Sequence, residues 1–227
     1  MKLLEVLKDG FLLMVSLPRN CPELARAAVE AGAGCIKVHL NCHHFASDTR
    51  FGSWSEEKAV LQEILAAVDV PVGVVTGESV QPGPDEMAAL AGAGFDFWDL
   101  FAKFAPPDYL RLPRLGSMVA IDSSWTPSLV KQLGRLGVGV IESSIIPRSE
   151  YRSPLNLIDL CAYANLAEAS PMPILIPTQK AVLPHQVQDL ARIGAAGITI
   201  GAVVTGLEAD GLKAATSAFR RAIDAIA

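Results

Sequence analysis

The 227 residues carry a formal net charge of −5 at pH 7, with 51% hydrophobic and 19% charged residues. This composition predicts a soluble chain that buries a large core, and it argues against binding to nucleic acid, which needs a clustered excess of lysine and arginine. No apolar stretch reaches the roughly eighteen residues of a membrane span, and the four cysteines lack CxxC spacing, which predicts a cytoplasmic protein without a membrane partner.

Short apolar runs alternate with amphipathic stretches along the whole chain. The strand-like runs are 11–17, 35–40, 72–75, 95–101, 118–121, 138–141, 174–176 and 198–200. The helical stretches are 22–31, 55–68, 84–91, 107–115, 127–136, 155–169, 184–193 and 207–227. This alternation predicts a closed parallel (β/α)8 barrel, a TIM barrel of the α/β class. Because no linker interrupts it, residues 1–227 are predicted to form a single domain.

A glycine turn recurs where four of the helices lead into strands. The first glycines of these turns are Gly32, Gly92, Gly137 and Gly194. Each is predicted to be a left-handed helix C-cap, because glycine adopts that conformation without a steric cost.

Aligning the four turns predicts which strand residues face the barrel interior. One level holds Lys37, Phe97, Glu142 and Thr199, and the next, two residues further along, holds His39, Asp99, Ser144 and Gly201. Alternate residues of a strand share a face. The fourth strand is ambiguous, since either Asp96 or Asp99 could point inward.

Catalytic residues of parallel barrels lie at the C-terminal ends of the strands. Lys37 and Glu142 interrupt apolar runs there, which predicts either an acid/base pair for proton transfer next to a carbonyl group or a plain structural ion pair. Asp122 ends the fifth strand and is predicted to be a third catalytic residue, as a general base or a hydroxyl-binding carboxylate, or else the cap of the next turn.

The predicted substrate- and phosphate-binding residues are polar or small and follow the strands. They are Ser16, His39, Asp99, Ser144, Thr178, Gln179, Lys180, Gly201, Thr205 and Gly206. The loops after strands seven and eight are the usual phosphate site of this fold.

Basic residues also follow the strands, at Arg19, Arg50, Lys103, Arg148, Arg152 and Lys180. In an acidic protein this placement favours a small anionic ligand as the partner; the alternative is scattered surface charge.

The segment 39–44 contains three histidines and one cysteine, followed by Asp48. These side chains can bind zinc, but their spacing matches no metal signature. Ordinary polar loop residues are therefore the favoured interpretation, and no metal or other cofactor is predicted. The loop from 41 to 54 is long, which predicts a lid or substrate loop, or a surface excursion without a role.

Several of these patterns together resemble a known superfamily. The glycine-turn repeats, Val-Pro-Val-Gly-Val-Val at 70–75 and Gly-Ala-Val-Val-Thr-Gly at 201–206 resemble the ribulose-phosphate-binding barrels, and among them the N-acetylmannosamine-6-phosphate 2-epimerase and thiamin phosphate synthase branches. The resemblance of layout covers nearly the whole chain but rests on glycine and aliphatic patterns. It implies a phosphorylated sugar or heterocycle, with the phosphate held by Thr178, Gln179, Gly201, Thr205 and Gly206.

The chain departs from these families at the residues that would carry their reactions. Strand three has Val75-Thr76-Gly77-Glu78 where the epimerases have a lysine, and the Asp-x-Lys-x-x-Asp signature of the decarboxylase branch is absent. Glu142 stands where related keto-acid phosphate aldolases have a Schiff-base lysine. The named activities therefore do not transfer directly.

Three functions remain open from the sequence. The leading hypothesis is an isomerase or epimerase acting on a small phosphorylated substrate, with Lys37 and Glu142 as the acid/base pair and Asp122 orienting a hydroxyl group. The second is a lyase or aldolase that forms a Schiff base on Lys37. The third is a non-catalytic barrel that binds a phosphorylated metabolite. An exposed aliphatic helix face would suit a homodimer.

Overall fold

A computed structural model describes residues 1–226, in which eight parallel strands close into a barrel. The strands are β1 (Leu12–Ser16), β2 (Cys35–His39), β3 (Val72–Val75), β4 (Phe97–Phe101), β5 (Gly116–Ile121), β6 (Val140–Ser143), β7 (Ile174–Pro177) and β8 (Gly197–Ile200). Each strand pairs with its neighbours in chain order, and β8 closes on β1 with Leu13 beside Ile198. The predicted TIM-barrel class is confirmed.

The α-helices of the described residues precede β1, lie in most of the connections between strands, or follow β8. They are α1 (Lys2–Val6), α2 (Pro22–Glu30), α3 (Trp54–Ala67), α4 (Pro84–Ala93), α5 (Pro127–Arg135), α6 (Leu157–Ala169), α7 (Val187–Arg192), α8 (Ala202–Thr205) and α9 (Ala209–Asp224). Prolines begin α2, α4 and α5, where the missing N–H leaves no hydrogen bond unmade. The predicted helix 207–227 corresponds to α9, and its last residue lies outside the described part of the chain. Among the described helices, none combines the length and the hydropathy needed to span a membrane.

The main hydrophobic core lies between the strands and the surrounding helices. Outward-facing strand residues such as Val15, Ile36 and Ile141 are fully buried in it. Burial of each such side chain contributes about 1.5–3 kcal/mol. On α6, by contrast, Leu157 and Ile158 are each 77% exposed, which is the kind of aliphatic helix face that the sequence analysis associated with a dimer.

The N-terminal end of the barrel is closed by α1, which the sequence analysis missed. Leu3 is fully buried and contacts the interior cluster formed with Met14 and Met118. The carboxylate of Asp96 accepts hydrogen bonds from the backbone N–H groups of Lys2 (2.7 Å) and Leu3 (2.8 Å), and so stabilises the start of the helix. A five-residue helix is too short to show a periodic pattern in the sequence.

Phe97 lies inside the barrel, next to the cluster that Leu3 of α1 contacts. Its ring lies where a side chain on Gly73 would stand, since a Cβ atom there would come within 2.1 Å of the ring. Phe97 therefore belongs to the apolar floor of the barrel, and the polar residues lie above it, towards the C-terminal ends of the strands.

The connection between β4 and β5 differs from the prediction. The sequence predicted a helix over 107–115, but the chain forms only a 3₁₀ turn, Pro107–Arg111. Leu112 adopts extended backbone angles, φ −66° and ψ 126°, because the following proline disfavours the helical conformation. Tyr109 covers the barrel here by packing edge-on against Trp98, with ring centroids 5.6 Å apart.

The glycine turns also require one correction. Gly32, Gly137 and Gly194 have positive φ angles, as predicted, but in the second turn the left-handed residue is Gly94 (φ 109°) and not Gly92. The reason is that α4 continues to Ala93.

The corrected register defines the polar layer of the barrel. Counting five residues on from each left-handed glycine gives Lys37, Asp99, Glu142 and Thr199. These residues come from β2, β4, β6 and β8, and four side chains from alternate strands are the usual composition of a barrel layer. Asp99 takes the place that the sequence analysis gave to Phe97, and Asp99 rather than Asp96 faces inward.

The two glycines of the second turn test this register. We expect Gly94→Ala to lower the free energy of unfolding by about 1–2 kcal/mol, because alanine is strained at positive φ. Gly92→Ala should instead raise it by up to about 1 kcal/mol, since Gly92 lies inside α4 with open space around it. Urea denaturation measures both values, and equal effects would contradict the corrected C-cap.

Candidate functional site

The open C-terminal end of the barrel contains a cavity of about 160 Å³. Residues of the strands and their ends that line it are Ser16, Lys37, His39, Val75, Asp99, Phe101, Ala120, Glu142, Ser144, Pro177, Thr199 and Gly201. Apolar residues close the barrel below this level, so a ligand reaches the polar layer only from the side of the loops.

A buried ion triad forms the centre of the cavity. The ammonium group of Lys37 donates hydrogen bonds to Asp99 Oδ2 at 2.8 Å and to Glu142 Oε2. All three residues are nearly inaccessible to solvent. The hydroxyl of Ser144 donates to the other oxygen of Glu142, Oε1, at 2.9 Å. The structure thus brings the predicted pair Lys37 and Glu142 together and adds Asp99 as a third member.

The pKa values of the three groups in the triad are shifted in different directions. Burial opposes the charge on Lys37, but the carboxylates of Asp99 and Glu142 outweigh burial and raise its pKa, so it stays charged at neutral pH. Burial, and then the charge of Glu142, raise the pKa of Asp99 to about 7. Burial also acts against ionisation of Glu142, yet Lys37 and the Ser144 hydrogen bond lower its pKa. Of the two carboxyl groups, Asp99 therefore exchanges its proton near neutrality.

Three buried polar atoms on the cavity wall have no hydrogen-bond partner within the described residues. They are Asp99 Oδ1, Thr199 Oγ1 and His39 Nδ1. Leaving a buried polar group unpaired costs about 1–3 kcal/mol, and buried polar atoms in proteins normally have partners. These three atoms could pair with polar groups of a molecule in the cavity.

The two histidines nearest the triad are neutral. The ring of His39 stacks on Phe51, with ring centroids 4.7 Å apart, and packs at a tilt against His44 at 4.5 Å. Burial, followed by the charges of His44 and Lys37, holds the pKa of His39 well below its usual value. Burial and then Lys37 lower the pKa of His44 to about 4. Lys37 is therefore the positive charge at the floor of the cavity.

The histidine-rich segment 39–44, whose residue types can bind zinc, forms polar contacts within its own loop. His43 pairs with Asp48 (2.7 Å), and His44 Nδ1 lies 2.7 Å from the hydroxyl of Ser47. Across residues 1–226, no three or more His, Cys, Asp and Glu side chains converge on a point where they could hold a metal ion.

The long loop from 41 to 54 lies over the mouth of the cavity. Its two short strands, His43–His44 and Thr49–Arg50, form an antiparallel hairpin. At its tip, Phe45 packs edge-on against Tyr151, with ring centroids 5.2 Å apart, and the carbonyl of Ala46 accepts a hydrogen bond from Arg152 at 2.7 Å. The loop occupies the position that a lid would need, and its opening remains a prediction.

The side chains predicted to hold phosphate after β7 contact the protein instead. Thr178 Oγ1 accepts the backbone N–H of Gly201 at 3.0 Å, and Gln179 is bonded at both ends of its amide group, to Ile146 and Tyr151. Thr178, Gln179 and Gly201 nevertheless line the cavity.

The other three residues predicted for this loop region do not line the cavity. Lys180 is buried, and its ammonium group contacts Glu150 at 2.7 Å and Asp159 at 3.3 Å. The hydroxyl of Thr205 donates to the carbonyl of Gly206 at 2.9 Å. Lys180 therefore stabilises the loop between β6 and α6 and is not free to bind an anion.

Asp122 lies outside the cavity. Its carboxylate accepts hydrogen bonds from the N–H group and the hydroxyl of Ser124, at 3.0 and 2.5 Å, and from Lys103 at 3.0 Å. Ser124 and then Lys103 lower its pKa to about 2. This geometry matches the alternative interpretation of Asp122 as the cap of the next turn.

Two aromatic residues at the mouth belong to no motif of the sequence. Phe45 and Tyr151 both line the cavity, and the only signal for them was their place in segments that follow strands. Of the basic residues named from the sequence, Lys37 and Arg148 line the cavity, as judged over the described residues.

Comparison with known proteins gives similarity in structure only. No family model matches the sequence, and no curated protein matches it. Tryptophan synthase from M. tuberculosis superposes with a TM-score of 0.69 at 16% identity, over 94% of this chain and 92% of that chain. The chain shares its barrel fold. The tryptophan synthase A-subunit from Pyrococcus furiosus gives 0.68 at 13% identity, over 92% and 97% of the two chains.

A third structure bears on the resemblance drawn from the sequence. Thiamine phosphate pyrophosphorylase from Pyrococcus furiosus superposes with a TM-score of 0.65 at 16% identity, over 97% of this chain and 98% of that chain. The resemblance to this group of barrels is thus confirmed at the level of the fold. Identities this low carry no further conclusion about activity.

Substituting Lys180 and Lys103 separately tests which ion pairs stabilise the fold. We expect Lys180→Met to lower the free energy of unfolding by about 3–5 kcal/mol, because it leaves the buried carboxylate of Asp159 unpaired. Lys103→Met removes an exposed pair with Asp122 and should change stability by about 1 kcal/mol or less. Chemical denaturation of both variants measures the difference, and a small effect for Lys180 would reopen its prediction as a ligand contact.

Proposed function

We propose that the protein is an enzyme that transfers a proton at a carbon atom next to a carbonyl group of a small phosphorylated substrate, as isomerases and epimerases do. The observation that carries this proposal is the buried triad of Lys37, Asp99 and Glu142, in which Asp99 lines the cavity and has one carboxyl oxygen without a partner among the described residues. A carboxyl group with a pKa near 7 gains and loses a proton readily at physiological pH.

Each member of the triad has a separate role in the proposed reaction. Asp99, as the carboxylate, removes the proton from the substrate carbon. The Lys37 ammonium group stabilises the negative charge that develops on the carbonyl oxygen, in a site with little competing water. Glu142, fixed by the hydroxyl of Ser144, keeps Lys37 charged and in place.

The same electrostatics disfavour a Schiff base on Lys37. A lysine nucleophile must be neutral and usually has a lowered pKa. Two carboxylates raise the pKa of Lys37 instead. The charged state supports proton transfer over the lyase or aldolase alternative. Asp122 is not part of the proposed reaction, because its carboxylate is held by Ser124 and Lys103 outside the cavity.

The phosphate group is proposed to bind at the loop end of the cavity, beside Gly201. Two considerations support this position. Barrels of this fold commonly bind phosphate after strands seven and eight, and a thiamine phosphate pyrophosphorylase has this fold. Thr178 contributes by holding the backbone of Gly201. The reaction needs only side chains of the cavity, so neither a metal nor an organic cofactor is part of the proposal.

A ligand screen followed by isotope exchange tests the proposed function. Chelator-treated protein is melted with inorganic phosphate and with sugar, triose and heterocyclic phosphates, each beside its unphosphorylated parent. A ligand at a hundred times its dissociation constant adds about 2.7 kcal/mol of stability. Any phosphorylated ligand that binds is then incubated with the protein in D₂O. Deuterium entering the carbon next to the carbonyl group supports the enzyme, and binding without exchange supports a non-catalytic barrel.

Substituting Asp99 and Asp122 separately identifies the carboxylate that removes the proton. We expect Asp99→Asn to slow deuterium exchange by about 10²–10⁴-fold, because the variant cannot accept the proton. Asp122→Asn should leave the rate within about twofold of the unaltered protein. The isotope assay above measures both. A rate loss in the Asp122 variant alone would restore the original sequence interpretation of that residue.

The raised pKa of Asp99 predicts a pH dependence. A base acts in its deprotonated form, so kcat/KM should rise as the pH increases through about 7. The profile of kcat/KM against pH measures this. A profile that is already level well below pH 7 would show that a carboxyl group of ordinary pKa removes the proton.

A further inference from the structure

The side chain of Tyr151 lies at the mouth of the cavity, and the mechanism above does not use it. Tyr151 follows the 3₁₀ turn Arg148–Glu150 in the connection after β6 and lines the cavity. Its ring packs edge-on against Phe45 of the hairpin. Both contacts place its hydroxyl group close to the path by which a ligand enters.

The orientation of the Gln179 amide group makes the Tyr151 hydroxyl oxygen a hydrogen-bond acceptor. The backbone N–H of Ile146 donates to Gln179 Oε1 at 3.1 Å. A reversed amide would put its NH₂ group against that N–H, where neither could accept a hydrogen bond. The NH₂ group must therefore face Tyr151, and it donates to the hydroxyl oxygen at 2.6 Å.

Since the hydroxyl oxygen of Tyr151 accepts from Gln179, its own hydrogen atom is left to donate elsewhere. A phenol carries one donor hydrogen, and no acceptor for it occurs among the described residues. Burial raises the pKa of Tyr151, so the hydroxyl group remains protonated at neutral pH.

Arg148 presents a second donor beside Tyr151. Its guanidinium carbon lies 5.1 Å from the ring centre of Phe45, so Arg148 and Tyr151 contact the same ring. In this structure its ionic partner is Glu78 at 3.5 Å, and the side chains of Arg148 and Glu78 are 67% and 39% exposed. An exposed pair of this kind contributes about 1 kcal/mol or less, so an anionic ligand can displace Glu78.

We propose that Tyr151 and Arg148 bind a phosphoryl oxygen of the substrate, and that Gln179 acts as a positioning residue by directing the Tyr151 hydroxyl hydrogen towards it. This assignment rests on the proposed function and completes the same phosphate site, since Gln179, which holds Tyr151, directly follows Thr178, which holds Gly201. Gln179 was predicted from the sequence to contact phosphate itself. Both ends of its amide are already bonded within the protein, so its effect passes through Tyr151.

An isosteric substitution tests the positioning role. In Gln179→Glu the carboxylate can only accept hydrogen bonds, one from the Ile146 N–H group and one from the Tyr151 hydroxyl. The tyrosine hydrogen would then point away from the ligand. We expect Tyr151→Phe and Gln179→Glu each to weaken binding of inorganic phosphate roughly tenfold. Isothermal titration of the full-length chain measures the affinity.

The double variant separates hydrogen-bond direction from added charge. If Gln179→Glu acts through Tyr151, adding it to Tyr151→Phe should weaken phosphate binding no further. A further loss in the double variant would mean that the new carboxylate simply repels the anion, and would overturn the positioning role. With the phosphorylated substrate, Tyr151→Phe should raise KM and leave kcat nearly unchanged.

Other outcomes separate this inference from the proposed function. Unchanged phosphate affinity in Tyr151→Phe would overturn the inference, and exchange that still depends on Asp99 would leave the proposed function intact. If neither phosphate nor any phosphorylated compound binds the unaltered protein, both are overturned. Arg148→Gln should also weaken phosphate binding. Glu78→Gln should strengthen phosphate binding, because it frees Arg148 from its ionic partner. If both variants bind phosphate with unchanged affinity, Arg148 is not part of the assignment.

Discussion

One ammonium group shared by two carboxyl groups is the interaction on which the site depends. Lys37, Asp99 and Glu142 meet in a barrel interior whose lower layers are apolar. With both carboxyl groups ionised, the triad would carry a net negative charge away from water, which is costly. One carboxyl group must therefore keep its proton until near neutrality, and the contacts select Asp99, because Glu142 has the additional hydrogen bond from Ser144. The pKa of Asp99 near 7, on which the proposed reactivity depends, therefore follows from the free-energy cost of burying two ionised carboxyl groups beside one ammonium group.

The surroundings of the triad are consistent with that electrostatic arrangement. His39 and His44 pack against each other near a charged lysine and remain neutral, so they do not compete with Lys37 for the carboxylates. The hairpin that carries His43 and His44 lines the loop side of the cavity. A low local dielectric strengthens each remaining electrostatic interaction. The same fold occurs in proteins with 13–16% identity to this chain, so activity must be argued from these side chains and not from the barrel.

Around the mouth, several side chains that look like ligand contacts hold the loops in position. Thr178 fixes the backbone at Gly201, and Lys180 joins the connection after β6 to α6. Gln179 links that connection to the end of β7 through Ile146 and Tyr151. Polar residues at strand ends thus serve two purposes. Some of them meet the ligand, and others set the positions of those that do.

The sequence by itself determined the barrel, its eight strands and the inward position of Lys37 and Glu142. These features follow from local rules, namely the period of two in a strand and the preference for glycine at positive φ. The tertiary structure decided that Asp99, and not Phe97, lies at the level of Lys37 and Glu142, since this depends on the left-handed residue after α4 being Gly94 rather than Gly92. It also decided that Asp122 turns to Ser124 and that Gln179 orients Tyr151. Lys37 and Asp99 are 62 residues apart in the chain, and whether their side chains meet depends on the level of Asp99 in the barrel, which the two glycines of the second turn left open in the sequence.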